Sequence, residues 1–201
     1  MSRLSVYWVG ATFLAALTIS ALAVAVPSYG DPLVFEAALS GANEVPPTGS
    51  PGTGFATVTL NGNTLSVNET FSGLTTSASA AHIHCCAPVG VNAIVAVPFP
   101  GFPSATSGAY SMTFDLTQTA TYNAPFIAAN GGTAASAETA FITGLESTQT
   151  YANIHNSVFP GGEIRGQLNV APEPASLLLV GFGSLALGWS RRVRWRGPSA
   201  L

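Results

Sequence analysis

The sequence predicts an all-β fold: a single antiparallel β-sandwich of Greek-key type with one short helix, carried between two helical ends. Three observations predict it. Residues 31–170 are rich in Gly, Ala, Ser, Thr, Asn and Pro, which suits short strands and many turns better than long helices. Short runs such as 55–60 (FATVTL) and 110–116 (YSMTFDL) alternate apolar and polar residues, so each run has one inward and one outward face. Turn signals separate these runs throughout. At about 140 residues the segment is one domain, long enough to bury a core without staples.

The elements follow in order. Residues 33–40 (LVFEAALS) read as a strand, and 41–54 as a Pro/Gly-rich loop. Residues 55–60 and 64–71 (TLSVNETF) read as a hairpin around Asn61-Gly62-Asn63. Short strands follow at 81–86 and 93–97, then a Pro/Phe loop at 98–103 and a strand at 110–116. Ala137, Phe141 and Leu145 recur every fourth residue, so 134–145 reads as the short helix. Strands at 151–155 and 164–170 close the domain.

The two ends read as targeting segments. Residues 1–30 look like a signal peptide: Arg3 supplies positive charge, 6–26 is almost wholly apolar, and small residues at 21–25 suit a signal peptidase. Cleavage after Ala23, Ala25 or Gly30 fits equally, and a retained transmembrane helix is the alternative. At the other end, Pro172-Glu173-Pro174 stays extended because each proline fixes its own φ and disfavours helix before it. Residues 175–190 then read as a transmembrane helix, short of the roughly 20 residues of a square span but flanked by Trp189 and Trp195. Arg191, Arg192, Arg194 and Arg196 follow, and positive charge there puts the C-terminus in the cytoplasm. This order resembles the PEP-CTERM sorting signal of Gram-negative bacteria, over 171–201. The resemblance implies an inner-membrane intermediate, recognition by an exosortase, cleavage near the Pro-Glu-Pro tripeptide, and delivery to the cell surface or extracellular matrix.

Charge narrows the function. The chain has no lysine, and between 31 and 170 Arg165 stands alone against Asp31, Glu36, Glu44, Glu69, Asp115, Glu138, Glu146 and Glu163, a formal −7. Such a surface excludes nucleic acid as a partner, because phosphate neutralisation needs Lys and Arg. It argues equally against anionic lipid heads and is compatible with cations. There is no Gly-x-Ser-x-Gly, no P-loop and no dinucleotide fingerprint, so no enzyme is expected.

An internal echo stands out. Gly73-Leu74 precedes Ala81-His82-Ile83-His84 as Gly144-Leu145 precedes Ala152-Asn153-Ile154-His155, at an offset of 71 residues. The copies read as related strands in the two halves of a sandwich. With 37–47 (AALSGANEVPP) and 159–168 (FPGGEIRGQL), these motifs resemble a CHRD domain, the chordin-type module, across nearly the whole exported segment. The resemblance implies an extracellular β-rich module, and Cys85-Cys86 after His84 fits the subgroup that also ends in a PEP-CTERM tail.

All three histidines of the chain lie in the echo. His82 and His84 at i and i+2 share one face of a strand, and Cys86 at i+4 shares it if the strand continues. His155 occupies the matching place in the second copy. Imidazole and thiolate suit zinc and copper, so His82, His84, His155 and Cys86 are candidate ligands for Cu or Zn if the halves pack face to face. Hydrogen-bonded structural histidines are the alternative. The His-x-His step is loosely similar to copper-zinc superoxide dismutase, whose further ligand histidines this chain lacks. Cys85 and Cys86 admit a vicinal disulfide, a bridge between chains, or metal binding. Glu163 and Arg165 at i and i+2 suggest an ion pair. The expected role is an exosortase-processed structural or adhesive protein of the surface or exopolysaccharide matrix, with Cu/Zn binding and carbohydrate binding as alternatives; Tyr110, Tyr122, Phe99 and Phe102 are candidates to stack on sugars.

Overall fold

The structure is a computed structural model and describes residues 32–172. The signal segment 1–30, the span 175–190, and Glu173, Pro174, Arg191, Arg192 and Arg194 of the sorting signal lie outside the described residues. Among the described residues no helix is long and apolar enough to cross a membrane.

The chain runs β1 (Leu33–Ser40), a 3-10 turn (Gly41–Asn43), β2 (Thr53–Asn61), β3 (Thr64–Ser72), β4 (Ala78–Cys85) and β5 (Ile94–Pro98). It continues with β6 (Gly108–Asp115), a second 3-10 turn (Thr119–Thr121), α1 (Ala124–Ala129), α2 (Ala134–Glu146), β7 (Thr150–Asn156), β8 (Ile164–Gln167) and β9 (Asn169–Val170). The all-β antiparallel class is borne out. All the strands join in one order, β5-β4-β7-β8-β1-β2-β3-β6, with β9 on β1. The join between the two four-stranded halves is thin: β8 meets β1 through one register pair, Ser40 with Arg165. At the far ends the sheet curls back, so Phe99 after β5 stacks on Tyr110 of β6 with ring centroids 5.1 Å apart.

Alternation sets the layers. Along β2 and β3, Ala56, Val58, Leu60, Leu65, Val67 and Phe71 point inward and are buried. Their neighbours in register, Thr57 with Asn68 and Thr59 with Ser66, point outward. The hairpin turns at Gly62, whose φ of 54° is open to glycine at little steric cost. The outer face of β2, β3 and β6 carries hydroxyls and amides: Ser66 bonds Thr113 at 3.2 Å, and Ser111 donates to Asn68 at 2.8 Å. Inside, one cluster unites all the main strands and both helices around Phe35, Phe126 and Phe141, each fully buried. Burying side chains of this kind stabilises the fold by about 1.5–3 kcal/mol apiece.

The helices lie against the half that carries the histidines. α2 begins with a capping box, Thr133 Oγ1 accepting from the Ser136 N–H at 3.1 Å and Ser136 Oγ accepting from the Thr133 N–H at 3.2 Å. Its Ala137, Phe141 and Leu145 face the core, as their spacing predicts. The sequence predicts one helix and the structure has two, because Pro125 sits in the first turn of α1, where its missing N–H does no harm. The predicted closing strand 164–170 breaks at Leu168, which is buried between β8 and β9.

Candidate metal centre

β4 and β7 are neighbours and antiparallel, so the two echo motifs lie side by side in one sheet half instead of facing across the sandwich. Ala80 pairs with His155, His82 with Asn153, and His84 with Tyr151. All six side chains share the outer face. His155 is therefore the diagonal neighbour of His82, within reach of a long side chain.

The three imidazoles close on one another. Ring centroids lie 5.0 Å apart for His82 and His155, 5.7 Å for His82 and His84, and 5.9 Å for His84 and His155. One ring nitrogen from each falls within 4.8 Å of the others. A metal held by three imidazoles at about 2.0–2.1 Å needs nitrogens roughly 3.3–3.6 Å apart, a change that small side-chain rotations supply.

Hydrogen bonds orient two of the rings. His84 Nδ1 lies 2.8 Å from the Ala93 carbonyl, and His155 Nδ1 lies 3.0 Å from the Pro160 carbonyl. A carbonyl only accepts, so Nδ1 carries the proton in each and Nε2 keeps its lone pair. Those two Nε2 atoms, and Nδ1 of His82, are buried with no hydrogen-bond partner. Orphaned buried acceptors are uncommon and call for an explanation. A backbone-anchored imidazole aiming its other nitrogen inward is the arrangement that metal-ligating histidines adopt.

Electrostatics keep the cluster neutral. Burial pushes His82 down to about 4, with the neighbouring His155 and His84 adding to the effect. Burial also pushes His84 down to about 4, against the bond to Ala93. His155 is lowered by burial, opposed by its bond to Pro160. Neutral imidazole is the form that binds metal.

A second set of side chains, which sequence reasoning missed, packs on the cluster. Tyr151 stacks on His84 at 4.6 Å and an interplanar angle of 5°. Its hydroxyl accepts the Ala93 N–H at 3.0 Å, holding the residue whose carbonyl fixes His84. The Arg165 guanidinium lies 3.4 Å above the Tyr151 ring and donates to Asn92 Oδ1 at 2.9 Å and the Val91 carbonyl at 3.0 Å. Glu44, buried, accepts from Asn153, and burial pushes its carboxyl up to about 7. Gly162 makes room for this pair: at its φ of 129° a Cβ would lie 2.6 Å from Glu44 Oε1.

Three expectations change. Cys86 is not brought to the cluster: its Sγ is bonded to that of Cys85, and the pair packs on α2 beside Gly144 and the Ala140 carbonyl. Glu163 and Arg165 form no ion pair. Glu163 instead accepts from the Ser50 hydroxyl at 2.6 Å, the Thr75 N–H at 2.7 Å and the Asn156 amide, because the turn before β8 aims it at the loops. Phe99, Tyr110 and Tyr122 are core residues, since each stacks on other aromatics and is buried. Phe102, partly buried, stacks on Phe71 at 5.0 Å, at the side of a cleft of about 500 Å³ that His82 also lines.

The CHRD domain model matches residues 35–168, and the PEP-CTERM protein-sorting motif matches residues 170–192. No curated protein and no solved structure matches the chain. The motif implies export across the membrane and processing by an exosortase.

Proposed function

We propose that this chain, which belongs to the CHRD-domain family and carries a PEP-CTERM sorting motif, is an exported protein whose domain binds copper or zinc through His82, His84 and His155. The observation that carries the reading is the convergence of three buried ring nitrogens, each without a partner, from two adjacent strands. The protein acts as a binding protein and not as an enzyme. Signal peptidase and exosortase are its processing partners, the inner membrane a transient one, and the cell surface or matrix of a Gram-negative bacterium its destination.

A structural or adhesive place within the exopolysaccharide layer is a second reading. The outer face of β2, β3 and β6 favours it, because its hydroxyls and amides, with Asp115 as the carboxylate at the end of β6, exchange hydrogen bonds with sugars. The experiment that separates the two is elemental analysis of the untagged full-length protein, isolated from cells. About one Cu or Zn per chain supports the metal reading. Metal-free, folded protein would sink it and turn the search to polysaccharide.

A further inference from the structure

Copper and zinc are not equivalent occupants of this cluster, and two features discriminate between them. The first is coordination number. The partnerless nitrogens of His82, His84 and His155 are sealed from solvent. Among the described residues no cysteine or carboxylate joins the group: Cys86 is in its disulfide, and Glu44 is held by Asn153. A metal here would draw three ligands from the described residues, each through a nitrogen closed off from solvent. Zinc almost always keeps four ligands, completing a three-histidine site with water. Cuprous ion is stable with two or three.

The second feature is charge. Three neutral imidazoles contribute no negative charge. The charged group stacked over the centre is a cation, Arg165, which reaches His84 through the Tyr151 ring and is 2% exposed. Charge solvation energy grows as the square of the charge, so a divalent ion loses about four times what a monovalent ion loses on entering such a site. With no carboxylate or thiolate among its ligands, the site favours the lower charge.

We propose that His82, His84 and His155 form a three-coordinate site selective for cuprous ion over zinc. The inference rests on the metal-binding reading above and narrows it. Tyr151 and Arg165 act as positioning residues. Tyr151 fixes the His84 ring, and Arg165 supplies positive charge that opposes a divalent occupant.

The test uses the full-length, metal-stripped protein under anaerobic conditions with ascorbate as the reductant, which holds copper as Cu(I) and leaves the Cys85–Cys86 disulfide closed. Cuprous affinity is read by competition with a colorimetric Cu(I) chelator, and zinc affinity with a zinc-responsive dye. The expected result is one Cu(I) per chain, held at least roughly 100-fold more tightly than Zn(II). X-ray absorption should then show three nitrogen scatterers and no sulfur. Zinc bound as tightly as Cu(I), or a fourth light-atom ligand on copper, would overturn the selectivity and leave the metal-binding reading standing. Failure to bind Cu(I), Cu(II) or Zn(II) would overturn both. His155→Ala should lose the copper; absorption on the unmodified protein decides the matter if that variant does not fold.

Discussion

His82 and Asn153 face each other across β4 and β7, and this pair is the centre of a local two-fold. Ala81 pairs with Ile154 and Ile83 with Ala152, so each Ala-x-Ile-His motif lies on the other with its direction reversed. The symmetry breaks at the centre. Where one strand offers an imidazole, the other offers an amide that donates to Glu44 and to the Ile164 carbonyl at 3.1 Å. Replacing Asn153 with Ala removes the side-chain donor of the buried Glu44 carboxyl. N153A should be less stable by about 1–3 kcal/mol in chemical denaturation. An unchanged midpoint would show that Glu44 finds another partner.

Removing two of the three imidazoles should end metal binding without ending the fold. The histidines lie on the outer face of the sheet, while Ala81, Ile83, Ala152 and Ile154 hold the core beneath them. In the variant combining His82→Ala with His155→Ala, circular dichroism should match the parent and stoichiometric copper or zinc should be lost. Undiminished uptake would remove these residues from the ligand set.

Glu69 makes stability depend on pH in a predictable direction. It sits on the inward face of β3 between Val67 and Phe71, 1% exposed, with neither carboxyl oxygen hydrogen-bonded. Burial pushes it up from 4.5 to about 8. The folded state thus binds a proton that the unfolded chain releases between these values. Its contribution is fully present below about pH 4.5 and is lost as pH rises toward 8, with a ceiling of about 5 kcal/mol. His82 and His84 pull the other way, since their folded values lie near 4 and the unfolded chain takes up protons below 6.5. Comparing the parent with Glu69→Gln isolates the carboxyl. The melting temperature of E69Q should gain on the parent steadily from pH 5 to pH 8. A constant difference would mean that Glu69 does not titrate in that range.

Gly144 is the point where α2 meets the disulfide. A Cβ there would lie 2.7 Å from Cys86 Sγ and closer still to Cys85 Sγ. Gly144→Ala should cost about 1–3 kcal/mol, although alanine is the better helix former. The reduced protein should tolerate it better, because free thiols can rotate away. Equal penalties with and without reductant would place the strain elsewhere.

The sequence shows its strands plainly because alternation and turns are local signals. Residues 33–40 form β1 with the predicted bounds, and the Asn61-Gly62-Asn63 turn joins β2 to β3. The histidine trio was legible too, since i, i+2 spacing on a strand fixes a shared face. How His155 reaches the pair was not legible, because strand order is set by long-range pairing and an echo fits adjacent strands as well as facing ones. Tyr151, Arg165 and Glu44 escaped for a related reason. Tyr151 resembles a core aromatic, and Arg165 and Glu44 resemble ordinary surface charges, until β8 and the loop after β1 bring them onto the outer face of β7. One signal was available: Arg165 is the single cation between 31 and 170, and a lone cation in an acidic segment is a reason to look for a special setting. Cys86 misled because its face was inferred from a strand that ends at Cys85.

The burial of charge inside this domain bears on how its copies behave when crowded. Glu44, Glu69, Glu163 and Arg165 are all buried, leaving Glu36, Asp115, Glu138 and Glu146 as the charged groups nearer the water among the described residues. These four are all acidic and no exposed Lys or Arg offsets them among the described residues, so copies repel one another through water and salt screens that repulsion. Such domains should crowd together more closely in brine than in dilute buffer, where their like charges hold them apart.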